Sequence, residues 1–157
     1  MTDYSHIEQI KELIEGFLRA AGFESAVSYE ESVTKGLVFN IAASRDSYLL
    51  IGRQGLTLHA MQTLLQAMAS KKFAGSAPVY FTLDVDDYKM KREWFLKETA
   101  RGAVEQLKKT GRAQALEPMP NYERRIVHAY LQEHAPEVFS ESVDEEPYRR
   151  IVIRLKK

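Results

Sequence analysis

An α+β protein of two small domains is what this 157-residue sequence predicts, and three observations carry that expectation. Apolar residues switch repeatedly between helical three-and-four spacing and the alternation of a strand. The first half runs helix, strand, strand, helix, glycine loop, helix, strand, and a long charged helix then opens a second set. No repeat and no low-complexity linker lies between the sets. The reading is therefore residues 1–87 as one domain and 88–157 as another, which begins with the long helix as a rigid connector.

Composition narrows the class. Hydrophobic residues make up 45% and charged residues 28%, enough for a core under an ordinary soluble surface. No window approaches the roughly 18 apolar residues of a membrane span, and the first residues lack the layout of a signal peptide. There are no cysteines, so thiolate metal sites and disulfides are excluded and a cytoplasmic location is expected. Formal charge is zero, but residues 1–90 carry 8 Lys/Arg against 11 Asp/Glu and residues 91–157 carry 14 against 11. Affinity for a polyanion would then be local, and more cationic in the second half.

In order, Thr2 or Asp3 can cap a helix over Tyr4–Ala21, with Ile7, Ile10, Ile14, Phe17 and Leu18 on one face and Gly22 at its end. Ala26–Glu31 and Leu37–Ala43 form a hairpin around Ser32–Gly36. Ser44 or Asp46 caps a short helix, Ser47–Ile51. Leu56–Lys71 is a helix with Leu56, Ala60, Met61, Leu64, Leu65 and Met68 at helical spacing. After a loop over Lys72–Pro78, Val79–Val85 alternates as a strand.

Between the two middle helices lies Leu49-Leu50-Ile51-Gly52-Arg53-Gln54-Gly55. Glycine admits tight turns and the close approach of another backbone. The helix start that follows offers unsatisfied donors at a positive dipole end, and Arg53 adds a cation. A GxxG tetrapeptide is common in plain turns. This one sits within the element order of a type II KH domain (α-β-β-α-α-β over a three-stranded sheet), which the first half resembles. The resemblance implies that Gly52 to Gly55 clamp the backbone of about four nucleotides, with bases in an apolar groove that includes Ile51 and Leu58.

In the second half, Asp86 or Asp87 caps a helix over Tyr88–Lys109 that Gly111 closes. Ala113–Leu116 is a short strand, and Asn121 caps a helix over Tyr122–Glu133 with Ile126, Val127 and Tyr130 inward. Val138–Ser142 and Tyr148–Leu155 pair around the acidic turn Val143–Pro147. Arg124 and His128 lie four apart on one helical face, beside Arg125, and one of Arg149 and Arg150 should face the same way. Guanidinium forks bind phosphate oxygens in pairs and an imidazole adds a donor. On the spacing alone, a solvated histidine with a glutamate-paired arginine is the better account.

The surrounding sequence is more specific. Glu117-Pro118-Met119-Pro120-Asn121-Tyr122-Glu123-Arg124-Arg125-Ile126-Val127-His128 and Glu146-Pro147-Tyr148-Arg149-Arg150-Ile151-Val152-Ile153 resemble the R-x-x-x-H ("R-three-H") domain, a binder of single-stranded nucleic acid. A KH domain followed by this domain resembles the bacterial Jag family, also called the SpoIIIJ-associated or KhpB family, over about Tyr4 to Ile153. The resemblance implies single-stranded RNA as ligand, with single-stranded DNA left open. It also implies a post-transcriptional role in cell elongation and division, and a small KH-domain protein or a second copy as partner. Gly52, Arg53, Gln54 and Gly55 carry over as the clamp, and Arg124 and His128 as the pair that names the second domain. Family members commonly open with a further small domain and a charged linker. This sequence begins at the KH helix, so functions of that region are not carried over.

Enzymatic readings find little footing. His6, His59, His128 and His134 lack metal-ligand spacing, and Asp84, Asp86 and Asp87 stand where helix caps are needed. No serine has a nucleophile-elbow context, and no cofactor is expected. The competing reading is a protein-interaction scaffold that dimerises through the KH half with little RNA binding. A scaffold should tolerate Arg53→Asp with Gln54→Asp. If His128 grips phosphate by its charge, affinity should rise below its ordinary pKa of about 6.5.

Overall fold

In a computed structural model of the chain, residues 4–33, 36–74, 80–144 and 149–156 are described. The chain divides into two compact units, Met1–Lys89 and Met90–Lys157, and the fold is α+β. The expected cap at Thr2 or Asp3, most of the loop before the third strand and most of the acidic turn lie outside the described residues.

The first unit runs α1 (Tyr4–Ala20), β1 (Ala26–Ser32), β2 (Gly36–Ala42), α2 (Ser47–Ile51), α3 (Leu56–Lys72) and β3 (Phe81–Val85). The sheet order is β1-β2-β3, with β1 antiparallel and β3 parallel to β2. Parallel pairing needs a crossover, and α2 and α3 supply it. Alternation along the strands turns Phe39, Ile41, Phe81, Leu83 and Val85 to one face. There they meet Ile7, Ile10, Ile14 and Leu18 of α1 and Leu58, Met61, Leu65 and Ala69 of α3. Phe39 and Phe81 meet edge to face at 5.5 Å, the arrangement the ring quadrupoles favour. The expected α3 stripe is thus rotated: Leu58 and Ala69 are buried, while Leu64 and Met68 are exposed.

Parallel β3 leaves one row of donors on its outer side, and α3 covers it. Gln66 Oε1 accepts the Phe81 N–H at 3.3 Å, and Gln62 Oε1 accepts the Leu83 N–H at 3.1 Å. Gln62 also accepts Lys89 Nζ at 2.9 Å. Two side chains four apart on a helix match donors two apart on a strand, because both steps are close to 6–7 Å.

The aspartates after β3 are structural, but in different roles from those expected. Asp84, rather than Asp86 or Asp87, caps the next helix: its Oδ1 accepts the N–H groups of Val85 and Lys89 at 2.8 and 3.2 Å. Asp86 faces back toward α2, where it takes the Ser47 hydroxyl and the Ala43 N–H. It therefore supports the start of α2, where the N-cap residue Asp46 makes no side-chain cap bond of its own. Asp86 and Asp87 both have left-handed backbones (φ 48° and 57°), a conformation that aspartate tolerates better than most residues.

The second unit holds α4 (Tyr88–Thr110, begun at the end of the first unit), β4 (Gln114–Ala115), α5 (Asn121–His134), β5 (Val138–Val143) and β6 (Arg150–Leu155). Its antiparallel sheet has the order β4-β6-β5. Leu96, Ala100, Val104 and Leu107 of α4 pack with Val127 and Leu131 of α5 and with Ile151 and Ile153 of β6. The expected inward residues of α5 shift by part of a turn. Val127 is buried, Ile126 and Tyr130 are only partly so, and Leu131 completes the stripe. Pro120, not Asn121, occupies the N-cap position of α5.

Candidate nucleic-acid interface

The first candidate site is the turn from α2 into α3. The Gly52 N–H closes α2 on the Tyr48 carbonyl at 2.9 Å, and the Gly55 N–H bonds the Gly52 carbonyl at 3.3 Å. Gly52 has φ 70° and ψ −177°, a region essentially reserved for glycine. It is also crowded. A Cβ there would run into the Thr57 hydroxyl and lie 2.7 Å from the Thr57 Cβ. Gln54 (φ 53°) and Gly55 (φ 77°) are both left-handed, and Gly55 is the N-cap of α3. The turn thus presents exposed Arg53 at the positive end of a 17-residue helix.

Of the residues expected to receive bases, Ile51 and Leu58 fare differently. Ile51 ends α2, half-buried against the core, whereas Leu58 is 2% exposed and belongs to the core itself. Leu58 is therefore withdrawn as a base contact, because its position on α3 points under the sheet. The expectation missed Thr57, whose side chain locks over Gly52. A hydroxyl residue two places past the second glycine was the available signal.

The second candidate site is a closed circuit of contacts. Arg124 Nη1 donates to the Met119 carbonyl at 2.9 Å. The Met119 N–H donates to the Arg149 carbonyl at 3.1 Å, and Arg149 Nη2 donates to the Ser142 carbonyl at 2.6 Å. The Ser142 hydroxyl then lies 3.0 Å from His128 Nε2, one helical turn from Arg124. The circuit brings Arg124, His128 and Arg149 together, with exposed Arg125 alongside. Asn121 Oδ1 accepts from Arg124 Nη2 at 3.3 Å, and Asp144 pairs with Arg149 Nε at 2.8 Å.

Arg150 does not join it. Ile151 and Ile153 are buried against α5, so alternation turns Arg150, Val152 and Arg154 to the opposite face of the sheet. Of the two candidate arginines, Arg149 is the one on the histidine's side. His128 also differs from the expectation of a charged donor. Its Nδ1 meets Ser140 Oγ at 2.8 Å, so both ring nitrogens are occupied. Burial lowers its pKa below the ordinary value, and the charge of Arg124 lowers it further.

Beneath this site is a contact the sequence reading did not anticipate. Glu123 is fully buried and is held by Arg92 of α4. The spacing Glu123–Val127–Leu131 on one helical stripe was the signal that could have revealed it. Among the described residues no group of three His, Cys, Asp or Glu side chains could hold a metal ion. No helix there is long and apolar enough to cross a membrane.

The R-three-H domain family matches residues 95–155. Three proteins named RNA-binding protein KhpB are similar to this chain. That of Lactiplantibacillus plantarum is 38% identical over 110 residues, 69% of this chain and 33% of its own. That of Clostridium symbiosum is 36% identical over 132 residues, 84% of this chain and 57% of its own. The chain thus spans between a third and somewhat over half of these two relatives. That of Bacillus subtilis is 33% identical over 152 residues, 96% of this chain and 71% of its own. With identity at that level running through both units, the chain belongs to the KhpB family.

Proposed function

We propose that this chain binds single-stranded RNA, without catalysis, through two phosphate-gripping sites. One is the turn Gly52–Gly55, read as the clamp of a type II KH domain spanning residues 1–87. The other is the Arg124–His128–Arg149 circuit of an R-three-H domain spanning 88–157. The observation that carries the reading is the Gly52 turn. Its conformation excludes any side chain at position 52, so a bare stretch of backbone lies beside exposed Arg53 at a helix start. The Gly52 and Gly55 N–H groups are spent within the turn, so the grip comes from Arg53 and the positive end of α3, with the sugar-phosphate chain resting directly on the bare main chain. The relatives' printed name agrees with this ligand class. Ile51 remains at the groove, Arg125 supports the second site, and Arg150 is left out. By family resemblance, the role would be post-transcriptional control of cell elongation and division in the bacterial cytoplasm, with a small KH-domain protein or a second copy as partner.

The test is fluorescence anisotropy with a short single-stranded RNA across a salt series. Four proteins are compared: wild type, Arg53→Asp/Gln54→Asp, Arg124→Ala/His128→Ala, and all four changes together. Both doubles should weaken binding. The slope of log affinity against log salt should correspond to a few phosphates, at about −0.7 for each one neutralised on a single strand. If wild type fails to bind, or the loop double binds as tightly as wild type, the KH half is a scaffold and a protein partner should be sought.

A further inference from the structure

The two serines around His128 change how that residue can act. Its Nδ1 lies 2.8 Å from Ser140 Oγ and its Nε2 3.0 Å from Ser142 Oγ. A neutral imidazole has one N–H and one lone pair, and a hydroxyl has one proton to give. One serine must therefore donate to the ring while the other receives the ring's proton. The receiving serine keeps its own O–H unspent. His128 has no donor left for an anion in either tautomer, and an imidazolium would spend both N–H groups on the serines.

Ser142 is the serine set among cations. Its carbonyl accepts from Arg149, whose carbonyl takes the Met119 N–H, and the Met119 carbonyl takes Arg124. Ser140 lies two residues along β5, across from Ile153, while Ser142 lies across from Ile151, nearer the Arg149 end of β6. Asp144 pairs with Arg149 and so brings an acidic side chain to the group. We infer that Ser142 is an RNA-contact residue: His128 gives its Nε2 proton to Ser142 Oγ, and the Ser142 hydroxyl donates to a phosphate oxygen drawn in by Arg149 and Arg124. His128 is then a positioning residue that sets which way that hydroxyl points, and Ser140 fixes the tautomer by donating to Nδ1. The inference rests on the proposal that this unit grips phosphate, and it names the atom that makes the contact.

The test pairs nitrogen-15 NMR of the histidine rings in the full chain, with and without the same short RNA, with anisotropy on Ser142→Ala, Ser142→Thr and Ser140→Ala. The expected tautomer of neutral His128 carries its proton on Nε2. Ser142→Ala should weaken binding about tenfold to a hundredfold, the effect of one hydroxyl donor to a charged acceptor. Ser142→Thr should restore it, which a loss of folding would not explain, and Ser140→Ala should shift the tautomer. Wild-type affinity in Ser142→Ala overturns the inference, as does a proton on Nδ1 in both free and bound protein. If the Arg124→Ala/His128→Ala double still weakens binding in that case, the phosphate site survives and only the role of Ser142 falls. If that double binds like wild type, both fall together.

Discussion

Arg92 and Glu123 are joined by two hydrogen bonds, Nε to Oε1 at 2.8 Å and Nη2 to Oε2 at 2.9 Å, and the carboxylate they hold has no solvent exposure. Glu123 immediately precedes Arg124, so this pair fixes the first turn of the helix that carries the second site. Arg92→Ala should cost about 3–5 kcal/mol, because it strands a buried charge. Arg92→Met with Glu123→Leu should recover most of that. Urea unfolding midpoints at constant slope check both expectations.

Gly52→Ala should lower stability by about 1–3 kcal/mol from its backbone conformation alone, before the conflict with Thr57 is counted. Adding Thr57→Ala removes the hydroxyl conflict but leaves a Cβ 2.7 Å away. The double variant should therefore recover only part of the loss. Thermal unfolding of the three proteins against wild type measures the difference.

RNA affinity should not climb as pH falls from about 7.5 toward 6.5, because burial, and after it the charge of Arg124, disfavours the charged form of His128 and holds its pKa below the ordinary value. The sign for stability follows from the same shift. A depressed folded-state pKa means that the unfolded chain binds the proton more readily. The contribution of neutral His128 is complete above about pH 6.5 and is lost as pH falls through the depressed value. Anisotropy and urea titrations in one buffer series distinguish the two effects. A rise in affinity already complete at pH 6.5 would show that the ring acts as a cation.

Gln62→Ala and Gln66→Ala each remove an acceptor from a β3 amide. Each should cost about 1 kcal/mol, with Gln62→Ala the costlier because Lys89 Nζ shares that oxygen. Hydrogen exchange should quicken at Leu83 for the first and at Phe81 for the second.

Local pattern explains why so much of the fold was legible. The alternation of Ile151 and Ile153, the glycines at 52 and 55 and the apolar stripe of α1 are all properties of neighbouring residues, and each element appears near its expected place. What escaped notice joins distant positions. Asp86 reaches Ser47 across 39 residues, Arg92 reaches Glu123 across 31, and His128 meets Ser142 across 14. Helical spacing alone also left the rotation of α3 open. Leu56, Leu58, Leu64 and Leu65 are all apolar, and only packing against the sheet selects Leu58 and Leu65 for the interior. The second site was half visible for the same reason: the turn from Arg124 to His128 is local, whereas Arg149 and the serines arrive through strand register.

The glutamines along β3 bear on how copies of this protein could assemble. A sheet that can lengthen at both ends can propagate into a fibre, because each added copy offers a fresh template. Here the β3 end is stoppered by two side chains from its own helix, which leaves at most the β1 end. Joining two molecules through β1 uses up that end on each of them, so growth through this sheet stops at a pair.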